Sequence, residues 1–474
     1  MQDDAFPITL SPEALAALKA VAGPDGWSAD PDRLAPKLKE WRDRWRGTTP
    51  LLLSPRTTAE VSALVRCCAE HRIALTPQGG NTGLVGGQIP QGEVLLSLER
   101  MNAIREVAPL DDVIVVEAGV VLTTVQEAAR EANRFFPLSL AAEGSATVGG
   151  LVSTNAGGTA VLRYGTMRDL VLGIEAVLPD GSVFNGLKRL RKDNTGYDLK
   201  QLLIGGEGTL GVVTAASLKL FPILSSRSVA IVGLNRSEDA IALLARAKGE
   251  SGGAVEAFEL ISRRGVELAI RNIPDVRDPL AEPYPWIVLI EIASSEGGHA
   301  EAAMERLLAS ALEDDLIADA ALAQNQAQAK AMWRLREEQS AAQKPEGVTW
   351  KHDVSVPVSR VPEFLARATA AAEALAPGSR VVAFGHVGDG NIHYDVLQPL
   401  GGDGAAHAAL RDQGSKAIHD IVDALGGSIS AEHGLGVMKS GEARRYKDPH
   451  TVELMQRLRA AFDPHRIMNP RVLF

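Results

Sequence analysis

The 474-residue chain reads as an α+β protein in two parts. Three observations predict this. Between Pro77 and Gly211 four glycine-rich loops are separated by strand-like runs. After Phe221-Pro222 strands alternate with long helices, as in a second sheet with its own helical cover. Within that second part, VVAFGHVGDGNIHYDV (381–396) reads as strand, tight turn, strand, and carries two histidines.

Composition bounds the classes. Hydrophobic residues are 45% and charged residues 23%, the balance of a globular protein with a large core. The net charge of −10 argues against nucleic acid and against a generally basic membrane-binding surface. The two cysteines, Cys67 and Cys68, are adjacent in a predicted helix and build no disulfide framework, so a reducing cytoplasm is expected. MQDDAFPITL has neither a basic n-region nor an apolar h-region, and no run of 18 apolar residues occurs. No signal peptide and no transmembrane segment are therefore expected.

In chain order, SPEALAALKAVAG predicts a short helix. Trp41 and Trp45, four apart in KLKEWRDRWRG, share a face if that run is helical, and core packing is expected of them. LLLSP is a strand. TTAEVSALVRCCAEHR is a helix with Thr57 as N-cap, Glu60 completing a capping box, and Val61, Leu64, Val65 and Cys68 as its buried stripe. IALTP follows as a strand and runs into Pro77-Gln78-Gly79-Gly80-Asn81-Thr82-Gly83. Glycines there let backbone approach a ligand, and successive N–H groups can cradle an anion. The loop is not G-x-G-x-x-G, which disfavours a nicotinamide dinucleotide fold. The other loops are Glu143–Gly150, Asn155–Gly158 and Gly205–Gly211. Together they suggest an extended, anionic, planar ligand lying across backbone.

In the hairpin, Asp389-Gly390 predicts a two-residue turn with positive φ at both positions. That turn pairs 388 with 391, 387 with 392 and 386 with 393. His386 and His393 then face each other with Cβ atoms ~5 Å apart, suited to one shared metal ion. AEHGLG supplies further candidates at Glu432 and His433. Two histidines and a carboxylate with open positions form the pattern of a catalytic metal.

These residues carry a family resemblance. PQGGNTGLVGG, EGSATVGGLVSTNAGG, LRKDNTGYDLKQLLIGGEGTLGVVT and the terminal MNP resemble the FAD domain of the vanillyl-alcohol oxidase-type flavoproteins. GHVGDGNIHYDV with AEHGLG resembles the metal-containing branch that oxidises D-2-hydroxy acids. D-2-hydroxyglutarate dehydrogenases are the members most alike, D-lactate dehydrogenases next.

The resemblance implies an N-terminal helical segment (1–46), an FAD-binding domain (47–222), a substrate or cap domain holding the metal (223–455) and a C-terminal return to the FAD domain (456–474). It implies that Pro77, Gln78, Gly79, Gly80, Asn81, Thr82, Gly83 and Leu84 wrap the FAD pyrophosphate. Glu143, Gly144, Ser145, Thr147, Gly149, Gly150, Asn155, Gly157, Glu207, Gly208, Gly211, Val212 and Val213 line the rest, with Asn469 near the flavin. The first loop has no His or Cys for a covalent link, so non-covalent FAD is expected. The resemblance gives His386, His393 and Glu432 as metal ligands and His433 as base. It assigns Arg336, Ser340, Lys351, Asn391 and Asp395 to substrate. Ser340 stands where the close relative has Thr, and Asp395 where it has Asn.

The implied reaction removes hydride from C2 of a D-2-hydroxy acid to flavin N5. The metal acts as Lewis acid and template, and His433 accepts the hydroxyl proton. Arg336 and Lys351 hold carboxylates. D-2-hydroxyglutarate is the expected substrate, with D-lactate or D-malate as alternatives, and zinc the expected metal, with manganese or cobalt as alternatives. Electron-transfer flavoprotein or a quinone is the expected acceptor, and a homodimer the expected assembly. A metal-dependent hydrolase is the reading of another class, and it leaves the glycine loops unexplained. A non-catalytic flavin sensor would leave the metal set unexplained.

Overall fold

The computed structural model describes residues 10–473; readings made on residues 1–9 and on Phe474 lie outside it. Two compact units emerge. One takes the chain through Gly158, then Gly165–Pro222 and Glu432 onward; the other takes Thr159–Tyr164 and Ile223–Ala431. The chain thus returns to the first unit at Glu432 rather than at 456. Residues 159–164, inside the expected FAD-binding span, pack with the second unit.

The first unit opens with α1 (Pro12–Ala22), where Ser11 Oγ accepts from Ala14 N at 3.1 Å. Its Ala14 and Leu18 join the unit's main core, so the described part of the expected N-terminal segment packs with this unit. Strands β1 (Trp27–Ser28) and β2 (Leu52–Leu53), helix α2 (Thr58–His71) and strands β3 (Leu75–Gln78) and β4 (Val94–Ser97) follow. They make a sheet of order β1-β2-β4-β3, in which β4 runs parallel to both β2 and β3. A β-α-β crossover through α2 fits that pairing. Thr57 Oγ1 accepts from Glu60 N at 3.2 Å, but the Glu60 carboxylate takes Arg56 N rather than Thr57 N, so the capping box is one-sided. Val61, Leu64, Val65 and Cys68 are buried, each contributing roughly 1–3 kcal/mol of apolar transfer. Cys67 and Cys68 are free thiols, both buried.

Strands β5 (Ile104–Ala108) and β6 (Val113–Glu117), the short helix α3 (Val148–Thr154), and strands β7 (Val171–Val177), β8 (Val183–Gly186) and β9 (Val212–Lys219) complete this part. The five strands form an antiparallel sheet, β5-β6-β9-β7-β8.

The tryptophan pair departs from expectation. Asp43 takes φ 59°, which no helix interior tolerates, and the run folds back as a tight hairpin with Leu38 O accepting from Gly47 N at 2.8 Å. Trp45 packs against the backbone at Gly86, while Trp41 is 58% exposed rather than in the core.

In the second unit β10 (Ser226–Leu234), α4 (Ser237–Glu250), β11 (Val255–Ser262), α5 (Arg263–Asn272), β12 (Trp286–Ser294), α6 (His299–Glu313), β13 (Asp319–Leu322), α7 (Gln326–Glu337), β14 (Thr349–Ser355), α8 (Val361–Leu375), β15 (Arg380–Gly385), β16 (Asn391–Leu397) and α9 (Arg411–Ala424) follow in order. Seven antiparallel strands run β13-β10-β12-β11-β15-β16-β14. Helices α5 and α7 cover one face, with Val266, Leu268, Met332 and Leu335 against Ile231, Ile261, Leu289 and Phe384. After Glu432 the first unit resumes. Helix α10 (Pro449–Phe462) leads to a tail that pairs with β3, Leu75 N donating to Ile467 O and Asn469 N to Leu75 O, both at 2.7 Å.

Among the described residues no helix is long and apolar enough to cross a membrane.

Candidate active site

The first unit supplies a cradle of backbone. Gly79 and Gly80 lie so close to the 144–147 loop that a Cβ at Gly80 would sit 1.9 Å from Ser145 O, and one at Gly79 2.3 Å from Thr147 Oγ1. Only glycine lets these two loops touch. Gly79, Gly80, Asn81, Gly144, Ser145 and Thr147 line a cleft of about 760 Å³. Thr147 is buried, and among the described residues its hydroxyl has no hydrogen-bond partner. Small residues, exposed loop backbone and an unsatisfied hydroxyl fit a bound diphosphate.

Other residues expected at the cofactor are engaged in holding loops. The Glu207 carboxylate accepts from Leu435 N at 2.9 Å and Gly436 N at 2.8 Å. Burial pushes its pKa up against those two bonds. Asn469 Nδ2 donates to Glu207 O at 2.9 Å and Gly87 O at 3.0 Å. Both Glu207 (φ 48°) and Asn469 (φ 43°) are left-handed. Gly208 lies against the Pro77 ring, and Asn155 caps α3 and accepts from Arg168 N at 2.9 Å. Gly149 abuts Ala118, and Glu143 accepts from Ser139 Oγ at 3.2 Å inside its own loop. Val212 and Val213 are buried side chains of β9 next to Gly211. Gln78 Nε2 and Gln88 Nε2 brace the first loop, the latter on Gly83 O. Thr82 and Leu84 are half-buried beside them, as are Gly150 in α3 and Gly157 in the loop that follows it.

In the second unit the hairpin corrects the predicted register. His393 pairs with Phe384, not with His386. β15 ends at Gly385, where a Cβ would lie 2.5 Å from Asn391 O, and the connection runs from His386 to Gly390. Gly390 takes φ 87° but Asp389 is not left-handed, so the two-residue primed turn does not form. His386 O accepts from Asp389 N at 3.1 Å and from Asn391 N at 3.2 Å instead. The two imidazoles still meet, edge to face with centroids 6.0 Å apart.

What holds His386 was missed in the sequence. Glu259, on β11, is fully buried. Its Oε1 bonds His386 Nδ1 at 2.6 Å, and its Oε2 accepts from Arg336 Nε at 2.7 Å. Burial alone would raise this carboxyl. The charges of His386 and Arg336 and their hydrogen bonds outweigh it and bring the pKa down to about 2. A carboxylate on Nδ1 fixes the ring and leaves Nε2 for a ligand, the second-layer arrangement usual for metal-binding histidine. Two Glu, Glu256 and Glu259, in the otherwise apolar run AVEAFELIS were the available signal. Arg336, at the end of α7, lies over Phe384 with its guanidinium 5.0 Å from the ring centroid. Among the described residues its terminal nitrogens have no hydrogen-bond partner.

Lys351 and Asp395 are cross-strand partners, Nζ to Oδ2 3.2 Å, on the same sheet face as the Asp353–His393 pair. Asn391 Nδ2 donates to Asp353 Oδ1 at 2.9 Å and Val354 O at 3.0 Å. Ser340 is exposed on the short helix Gln339–Ala342. Ala431, the last residue of this unit, donates to Asp353 O at 3.3 Å, and Glu432 and His433 follow it directly in the chain.

A glycine-backbone cradle in one unit and a histidine-carboxylate sheet face in the other fit an FAD-dependent oxidoreductase with a vanillyl-alcohol oxidase-type FAD-binding fold. The FAD binding domain model matches residues 49–186, and the model for FAD linked oxidases, C-terminal domain, matches 223–473. The chain belongs to this FAD-linked oxidase family. It is 39% identical over 463 residues to the mitochondrial D-2-hydroxyglutarate dehydrogenase of Bos taurus, covering 97% of this chain and 83% of that one. It is 37% identical to a probable mitochondrial D-2-hydroxyglutarate dehydrogenase of Oryza sativa subsp. indica (97% and 81%). It is 34% identical to a D-2-hydroxyglutarate–pyruvate transhydrogenase of Saccharomyces cerevisiae (94% and 90%). In fold it matches p-cresol methylhydroxylase with substrate bound, at TM-score 0.74 and 16% identity, over 97% of this chain and 96% of that one.

Proposed function

We propose that the protein oxidises a D-2-hydroxy acid to the 2-oxo acid, D-2-hydroxyglutarate being the favoured substrate and D-lactate or D-malate the alternatives. The observation that carries this is Glu259, which seats His386 on one oxygen and Arg336 on the other. One buried carboxylate thus positions both a candidate metal ligand and a candidate substrate grip. The relatives' names supply the substrate class.

The glycine backbone at 79–80 and the Thr147 hydroxyl would hold FAD without a covalent bond. His386, His393 and Glu432 would hold a divalent metal, zinc first and manganese or cobalt as alternatives. When bound, FAD accepts the hydride and the metal lowers the hydroxyl pKa. Arg336, anchored through Nε, offers its terminal N–H groups to a carboxylate. Lys351 adds a second cation, shared with Asp395. Ser340 and Asn391 belong to the same expected substrate set. His433 takes the hydroxyl proton. Electrons would leave to a carrier such as electron-transfer flavoprotein or a quinone. A homodimer and a cytoplasmic location complete the proposal, for sizing and fractionation to check.

The test is anaerobic bleaching of the flavin by D- and L-2-hydroxy acids, before and after chelation. Bleaching by D-2-hydroxyglutarate that is lost with chelator and restored by metal supports the whole reading. Best bleaching by D-lactate moves the substrate. No bleaching of flavin- and metal-loaded protein by any acid overturns it. His433→Ala should keep FAD and metal yet reduce flavin at least ~100-fold more slowly, the scale of general-base catalysis.

A further inference from the structure

The cleft of the first unit has two walls of opposite character. One is the glycine backbone described above. The other is the segment from Pro36 to Trp41, which brings Lys37, Lys39 and Trp41 to the cleft. This segment is built in place. Asn81 Nδ2 donates to Lys39 O at 2.9 Å and Pro36 O at 3.3 Å, and Gln78 Nε2 donates to Lys37 O at 2.9 Å. Glu40, in the same turn, is fully buried. The glycine loop thus holds the segment against itself by side chains that are part of the loop.

Trp41 is 58% exposed, whereas Trp350 is fully buried. Exposing an indole in a firmly held turn forfeits apolar burial, so the ring is not there to pack the core. Its neighbour Arg42 places a guanidinium 5.0 Å from the ring centroid. We infer that Trp41 is the stacking surface for the adenine ring of FAD; the neighbouring Lys37 and Lys39 are ion-paired with Glu99 and Asp43, so the indole face rather than their charge does the recognising. This rests on the FAD reading above and adds a residue that recognises one end of the cofactor. The adenine end is chosen because Asn469, expected near the flavin ring, does not line this cleft; it is tied to Gly87 and Glu207.

The experiment uses the full-length protein and its Trp41→Ala and Trp41→Phe variants. FAD affinity is read from flavin fluorescence released on dilution, and FMN affinity from reconstitution of flavin-stripped protein. Base–aromatic stacking sets the expected loss: Trp41→Ala should bind FAD on the order of tenfold to a hundredfold more weakly, and Trp41→Phe within about threefold of the parent. FMN, which lacks adenosine, should bind all three equally. Equal FAD affinity in Trp41→Ala overturns the inference, as does an equal weakening toward FAD and FMN. Melting temperatures of the three proteins separate lost stacking from lost folding. A parent that binds no FAD removes the underlying reading as well, a result distinct from both.

Discussion

The two units build their sites from different material. In the first, what matters is side chain that is missing: Gly79 and Gly80 bring two loops into backbone contact. In the second, the site is a set of charged side chains on a sheet face, each placed by a partner. Glu259 bonds His386 across 127 positions of sequence, and Lys351 meets Asp395 across 44. A backbone cradle tolerates no added atom. A side-chain network tolerates no lost partner. The two should therefore fail in different ways and independently.

The largest effect is expected at Glu259. Removing it in Glu259→Ala leaves Arg336 buried without its carboxylate, and breaking such a pair costs about 3–5 kcal/mol. His386 also loses its orienting bond, which should weaken metal retention by ~10–100-fold. Chemical denaturation and metal content are the measurements. FAD content should stay at the parent level in protein that remains folded. Joint loss of metal and FAD from folded Glu259→Ala would show that the two sites are not independent.

Gly80→Ala is the opposite probe. The added methyl would meet the Ser145 carbonyl at 1.9 Å, and backbone moves less readily than a side chain, so about 3 kcal/mol of overpacking is expected. FAD should be lost, while metal bound by the second unit's histidines should persist. FAD bound as in the parent would mean that the loops part easily and that the cradle reading is wrong.

The same contrast explains what was legible in the sequence. Glycine loops announce themselves locally, because positions that exclude a Cβ show in composition. Helix α2, its Thr57 cap and the four residues of its predicted stripe were equally legible, since their partners are three or four residues apart. The His386–His393 meeting was predicted, but by the wrong route. The Asp389-Gly390 signal favours a primed turn. The structure instead widens the connection because Gly385 ends the ladder and packs against Asn391 O. Glu259 and Asp353 were not singled out, since a carboxylate in a strand gives no hint of which distant strand will lie beside it. The reading of Trp41 assumed a helix that Asp43, at φ 59°, does not permit.

The smallest effect concerns a buried acid outside the proposed chemistry, and it asks whether charged side chains on this sheet are costly where no ligand needs them. Glu256 is buried on β11, with Arg227 3.6 Å away and Arg163 3.9 Å away, and among the described residues its Oε2 has no hydrogen bond. Burial is the main cause of a pKa raised, on balance, to about 7. Arg227 and Arg163 pull it down, and the neighbouring Glu291 pushes it further up. Between the ordinary value of 4.5 and about 7, the folded chain keeps a proton that the unfolded chain has released. The folded state binds more protons across that window, so stability falls as pH rises through it and levels off above 7. The full shift sets an upper bound of ~3 kcal/mol, and relaxation around the half-exposed Arg227 should reduce this to on the order of 1–2 kcal/mol. Glu256→Gln removes the titration. Its denaturation midpoint should therefore lose less than the parent's between pH 5 and about 7, converging with it or overtaking it at the upper end. Parallel pH profiles for the two proteins would place Glu256 among groups already ionised in the fold. The carboxylates of this sheet would then be paired equally well with and without a ligand to serve.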